Sequence, residues 1–340
     1  MSPAATAKPE SAITTASNRF VAEHLPAATA LGEELAETVA DATVCAATLA
    51  EGFRTLADPV YADGVRSVTP GLGPVLGVRQ PLMTATHRAF KRGTRKISTV
   101  LLLDIADRLL RQDWRELRWF GIWTLSRTLP SDPERTWQLL RRTSAGADEW
   151  ITVDTLAHPY AEGILQDARR WPEIEQLIYS QSRWERRLVG STLAVMIHAT
   201  SHGGRNPQTV RHGLELIGQL IGDNEPDVQK ALSWPLRDFA AVDMDAVRAF
   251  VDAEARTAAG TRDGNRAWVI RDMLVKLPPA DAARIKQLLD GVRRTPGGPP
   301  TSKAWATAAS FRVGLGPDAP TAPTPMAAPA AIPTAPTPED

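Results

Sequence analysis

A single cysteine, Cys45, stands among the 340 residues. That excludes a disulfide framework, a cysteine-based zinc site and a cysteine-ligated iron–sulfur cluster. It lies at the end of the apolar run Ala40-Asp41-Ala42-Thr43-Val44-Cys45, where it reads as a small buried hydrophobe and fits a reducing cytosol. Long apolar runs are also missing. The first twenty residues hold no continuous apolar stretch, so no signal peptide is visible. Val100-Leu101-Leu102-Leu103 stops at Asp104, far short of the about 20 apolar residues that span a bilayer. A cytoplasmic chain without membrane contact is expected. Two-residue alternation between hairpin turns is absent, which removes strands. Net charge is absent too, with 39 basic and 39 acidic residues, and this counts against a nucleic-acid partner. The charge is uneven, however. Between Arg88 and Arg142 there are thirteen Lys and Arg against six Asp and Glu, enough for one basic face.

What is present is helical periodicity. Leu31, Leu35, Val39 and Ala42 form one stripe, Leu214, Ile217, Leu220 and Ile221 a second, and Val228, Ala231, Leu232 and Pro235 a third. Ser131-Asp132-Pro133-Glu134 and Asp223-Asn224-Glu225-Pro226 read as helix starts, with a cap followed by proline in the first turn. The length alone fits about two domains, but an elongated repeat array satisfies it as one. Trp114, Trp150, Arg187, Trp234 and Arg271 follow one another at 36, 37, 47 and 37 positions. The loop Ser201–Pro207 lies inside the longest of these intervals. Such periods fit stacked helix pairs of HEAT type, whose equivalent positions line one concave surface. The expected fold is all-α, a superhelical solenoid of antiparallel helix pairs over residues 18–291. Residues 1–17 and the Pro/Ala-rich 292–340 are expected to be disordered, since they hold too few apolar side chains to offset ordering.

Several formal motifs carry no chemistry. Gly71-Leu72-Gly73-Pro74-Val75-Leu76-Gly77 resembles a phosphate loop, but no strand precedes it and Pro74 removes an amide donor. His198 and His202 are four apart, yet the catalytic glutamate of a zinc protease is missing. No serine occupies a nucleophile elbow. The ten tryptophans are more informative. Most should be packing residues, Trp119 and Trp123 among them. Trp150 differs because Asp154 follows one helical turn later on the same face. Trp234, in Gln229–Asp238, is comparable. A basic concave groove with an aromatic wall and one carboxylate suits a cationic, N-alkylated purine. The aromatic face attracts the cation. The charged base leaves without protonation, and the carboxylate stabilises the sugar cation and orients water. An arginine nearby would hold the flanking phosphate. No metal or cofactor is needed for that chemistry.

At these residues the chain resembles the HEAT-like-repeat DNA glycosylases of the AlkD type, in the DNA alkylation-repair family. The resemblance is carried by Glu149-Trp150-Ile151-Thr152-Val153-Asp154, by Trp184-Glu185-Arg186-Arg187 and by the Gln229–Arg237 stretch. Weaker matches are Leu76–Pro81 and Trp114-Arg115-Glu116-Leu117-Arg118, and together they run in order over about residues 75–290. The resemblance implies hydrolysis of the N-glycosidic bond of N3- or N7-alkylated purines in duplex DNA, without deep base flipping and with room for bulky adducts. It implies Asp154, Trp150 and Trp234 as catalytic residues, with Arg187 on a backbone phosphate. Arg118 and Arg186 are further DNA-binding candidates, and a monomer is expected. Two departures are Glu149 and Ile151, where the family often has an aromatic and an acid. Glu149 close to DNA would repel it and alter lesion preference. The competing reading is a non-catalytic helical scaffold that binds DNA or a protein through the same face. An RNA-binding repeat would need base-reading side chains recurring in each repeat, and none recur.

Overall fold

A computed structural model of the chain describes residues 12–199 and 203–314. Its α-helices begin with α1 (Ala12–Glu37), α2 (Ala42–Thr55), α3 (Pro59–Val68), α4 (Gln80–Gly93) and α5 (Thr99–Leu110). Next come α6 (Arg115–Thr128), α7 (Pro133–Ala145), α8 (Trp150–Gln166), α9 (Trp171–Glu175), α10 (Arg183–Met196) and α11 (Pro207–Leu220). The last are α12 (Pro226–Phe239), α13 (Met244–Thr261), α14 (Gly264–Met273), α15 (Pro279–Leu288) and α16 (Lys303–Gly314). Among the described residues there is no strand, only an isolated bridge between Ala57 and Val78. The all-α expectation holds.

Local chemistry sets most helix starts. Asp132 accepts the amide of Arg135 at 3.2 Å ahead of α7, and Asp41, Asp58, Asn206, Asp243 and Asp263 cap other helices in the same way. Proline occupies the first turn of α3, α4, α7, α11, α12 and α15, where its missing N–H costs nothing. At α12 the capping differs from the simple pattern. Glu225 makes no side-chain cap, and Asp223 accepts the Glu225 amide at 2.9 Å instead.

The helices pack in two rows. Helices α4, α6, α8, α10, α12 and α14 follow one another in contact, and α5, α7, α11 and α13 lie against them from one side. The stripes found in the sequence are the buried seams between the rows: Leu214, Ile217, Leu220 and Ile221 are buried, as are Val228, Ala231, Leu232 and Pro235. The first stripe is divided. Leu31 and Leu35 belong to α1 and Ala42 to α2, with Val39 in the turn between them. Gly190 lets α10 approach α12, because a Cβ there would lie 2.5 Å from the Ala231 carbonyl oxygen.

The chain stays packed beyond both edges of the expected 18–291 domain. Residues 12–17 form the first turns of α1, and Ser17 accepts a hydrogen bond from Arg79 Nη1 at 2.7 Å. At the other end Val292, Ser302 and Ala304 are buried. The Thr301 amide donates to the Gly222 carbonyl at 2.8 Å, and α16 lies against α11 and the 3-10 turn Gln176–Tyr179. Composition misses this because the segment is fastened by backbone bonds and a few small side chains.

Candidate active site

Helix α8 begins at Trp150 because Glu149 caps it. The Glu149 carboxylate accepts the amides of Ile151 at 2.5 Å and Thr152 at 2.8 Å, and the residue is only 1% exposed. Burial pushes its carboxyl above the usual range, against the pull of those hydrogen bonds and of Arg115. Glu149 is therefore spent on its own helix. The expectation that it faces and repels DNA is corrected. Ile151, the other departure, is half-buried and lines a cavity discussed below.

One turn after Trp150, Asp154 turns towards α10. Arg187 grips it with a fork, Nε to Oδ1 at 3.1 Å and Nη2 to Oδ2 at 2.8 Å. Ser191, one turn beyond Arg187, donates its hydroxyl to Oδ1 at 2.6 Å. The Arg187 Nη1 reaches the Asp227 carbonyl of α12 at 2.8 Å, and the guanidinium carbon lies 6.0 Å from the centre of the Trp150 ring. Three helices thus meet at Arg187, and α10 alone holds the carboxylate. The Asp154 side chain keeps 20% of its surface exposed, whereas the Arg187 side chain keeps 6%. In that geometry Arg187 holds Asp154.

The other candidates divide. Trp234 is half-buried on α12, the helix whose first turn binds Arg187. Arg186 points elsewhere. It pairs with buried Asp223 at 2.6 Å and donates to the Ser180 and Gln181 carbonyls at 2.8 and 3.0 Å, so its donors fasten the start of α10. Arg118, half-buried on α6, has a buried Nε with no hydrogen-bond partner. Burial and the neighbouring Arg115 lower its pKa, and the carboxylates of Asp148, Glu149 and Asp113 oppose them.

Two features were missed in the sequence. Ser191 sits four residues after Arg187, and the one-turn rule that paired Trp150 with Asp154 would have found it. Glu116 is the second. The Gly71–Gly77 loop, with positive φ at Gly71, Gly73 and Gly77, does turn backbone amides onto an anion. That anion is the buried Glu116 carboxylate, which accepts Leu76 N at 3.1 Å and Gly77 N at 2.7 Å. The loop is thus satisfied from within. Trp119 is buried as expected and donates Nε1 to Thr152 at 2.9 Å, while Trp123 is only half-buried. His198 faces Asp238 at 3.1 Å, and His202 lies outside the described residues.

Beside the Trp150 turn is a cavity of about 110 Å³. Ile151 and Thr155 of α8 line it, with Trp119 and Trp123 of α6, Met83 of α4 and Tyr61 of α3. Its walls are mostly apolar, and the polar Glu116 there is already engaged by the loop amides.

A family model described as DNA alkylation repair enzyme matches residues 49–263. The chain belongs to that family. The matched stretch runs from within α2 to the cap of α14, and it holds Arg118, Trp150, Asp154, Arg186, Arg187 and Trp234. The family's repair role makes DNA the partner of this DNA alkylation repair protein. No curated protein matches the chain. No helix among the described residues is long and apolar enough to cross a membrane.

Proposed function

We propose that the chain is a monomeric, cytoplasmic DNA glycosylase built of HEAT-like helix pairs, which removes N3- and N7-alkylated purines from duplex DNA. The observation that carries the reading is the Asp154 carboxylate, aimed by Arg187 and Ser191 and still partly open beside Trp150. The alkylated base is a cation. When the bond from C1′ to the base nitrogen breaks, the electron pair leaves with the purine, which becomes neutral, and positive charge passes to the sugar. A fixed carboxylate is stabilising at that moment and costs no reorganisation. Water then adds to C1′ and gives its proton to Asp154 or to solvent, leaving an abasic site. No cofactor takes part in this sequence. Trp150 and Trp234 offer aromatic faces to the cationic nucleotide, and Arg118, half-buried on α6, is the candidate for a backbone phosphate.

Arg187 acts through Asp154 in this scheme, as a positioning residue. The lesion is attacked at the groove, without insertion into a deep pocket. Attack at the groove leaves room for bulky adducts.

Purified protein should release 7-methylguanine or 3-methyladenine from methylated duplex DNA. Asp154→Asn should abolish release and leave duplex binding largely intact. No release by the wild type from methylated or bulky adducts would leave the DNA-binding scaffold as the better reading. Full activity in Asp154→Asn would remove Asp154 from the site.

A further inference from the structure

A second cavity, of about 720 Å³, opens between the C-terminal halves of α4, α6 and α8. Arg88 and Lys91 line it from the end of α4, Arg95 from the turn that follows, and Arg127 from α6. Many arginines of the chain are taken up in ion pairs, Arg79 with Asp58 and Arg115 with Asp148 among them, but not the cluster here. Arg92, at the rim, pairs with Glu33 at 3.2 Å. Arg88, Lys91, Arg95 and Arg127 form no ion pair among the described residues. Glu162 of α8 is the single acid in the wall. The cavity floor is aromatic: His87 and Trp123 meet edge to face at 5.5 Å. Burial, Arg127 and Lys91 hold the His87 pKa down to about 4, so the ring is neutral near pH 7 and the positive field belongs to the other four groups. Arg127 has its Nη1 buried with no hydrogen-bond partner. Such a cluster, with no ion pair to its cations among the described residues, suits an external anion.

The geometry points to this cavity as a backbone anchor for duplex DNA, in which Arg88, Lys91 and Arg95 neutralise phosphates away from the lesion. The assignment rests on the DNA partner of the proposed function, and its placement supports it. Asp154 and Glu162 lie eight residues apart on α8, about 12 Å along the helix axis. The cations lie beyond that point at the ends of α4 and α6, in the same row of helices, so a duplex laid along the row from Asp154 passes over the cavity. The anchor supplies phosphate contacts that Arg186 and Arg187, with their guanidinium groups engaged within the protein, do not.

The test compares the wild type with an Arg88→Gln/Lys91→Gln/Arg95→Gln variant, binding unmodified duplex DNA over a range of salt concentrations. All three side chains are exposed, so both proteins should melt at the same temperature. The slope of log affinity against log salt should become shallower by about 2–3, at about 0.9 per phosphate, with at least tenfold weaker binding at low salt. An unchanged slope overturns the anchor and leaves the glycosylase reading standing. A wild type that binds duplex but releases no base removes the glycosylase reading, while a variant slope changed as expected still supports the anchor. Failure of the wild type to bind duplex, or displacement of DNA by inorganic phosphate beyond its ionic-strength effect, overturns the anchor in favour of a free-phosphate site.

Discussion

At Asp154, three hydrogen bonds donated from a single face of α10 fix the direction of the carboxylate. The fork from Arg187 sets its plane, and the Ser191 hydroxyl sets the side from which the remaining surface is open. A hydrogen bond to a charged group contributes about 1.5–3 kcal/mol, and about 1.4 kcal/mol is a tenfold change in rate. Ser191→Ala should therefore slow single-turnover base release about tenfold, with binding to undamaged duplex unchanged. An unaltered release rate would show that Arg187 alone suffices to aim Asp154. The Trp150–Asp154 relation was legible from spacing, since both lie on one helix. The Asp154–Arg187 bond was not, because it joins side chains 33 positions apart whose meeting depends on how α8 and α10 pack.

At the scale of the helices, one cap fixes the start of α8 and one glycine sets the approach of α10 to α12. Glu149 holds the α8 start from a buried position, and burial raises its pKa above the ordinary value. The folded protein then binds that proton more tightly than the unfolded chain. Its contribution to stability is present below the ordinary carboxylate pKa and is lost as pH rises through the folded value. Glu149→Gln should flatten this part of the stability-versus-pH curve, measured by urea denaturation from pH 4 to 8; an unchanged curve would contradict it. Gly190 is the close-approach point of α10 and α12. Gly190→Ala should cost about 1–3 kcal/mol, the usual cost of overpacking, and move Arg187 away from the Asp227 carbonyl. A lowered melting temperature with slower base release is the expected result, whereas wild-type values for both would show that the helices can separate freely.

Over the whole molecule, two rows of helices support a face that is apolar beside Trp150 and cationic towards the ends of α4 and α6. The C-terminal segment helps hold its far end. Arg271 donates to the carbonyls of Leu289 and Val292, Arg294 donates to Gln229 at 2.9 Å, and Thr301 bonds Gly222. Removing residues 292–340 should lower the melting temperature by several degrees, since buried polar groups lose their partners. A detachable tail would leave it unchanged, so a thermal melt of the shortened chain separates the two cases.

The sequence by itself determined the fold class and the helix starts, because 3.6-residue periodicity, capping side chains and first-turn prolines act within a few residues of one another. It also determined the Trp150–Asp154 pair, for the same reason. Tertiary structure decided what each charged group faces. Packing turned Glu149 and Glu116 inward, gave Arg187 to Asp154 and Arg186 to Asp223, and left Arg88, Lys91 and Arg95 without counter-ions. The pairings of Glu116, Arg187 and Arg186 reach across 33 to 40 positions, and local pattern carries no information on which of many charges a given helix face will meet.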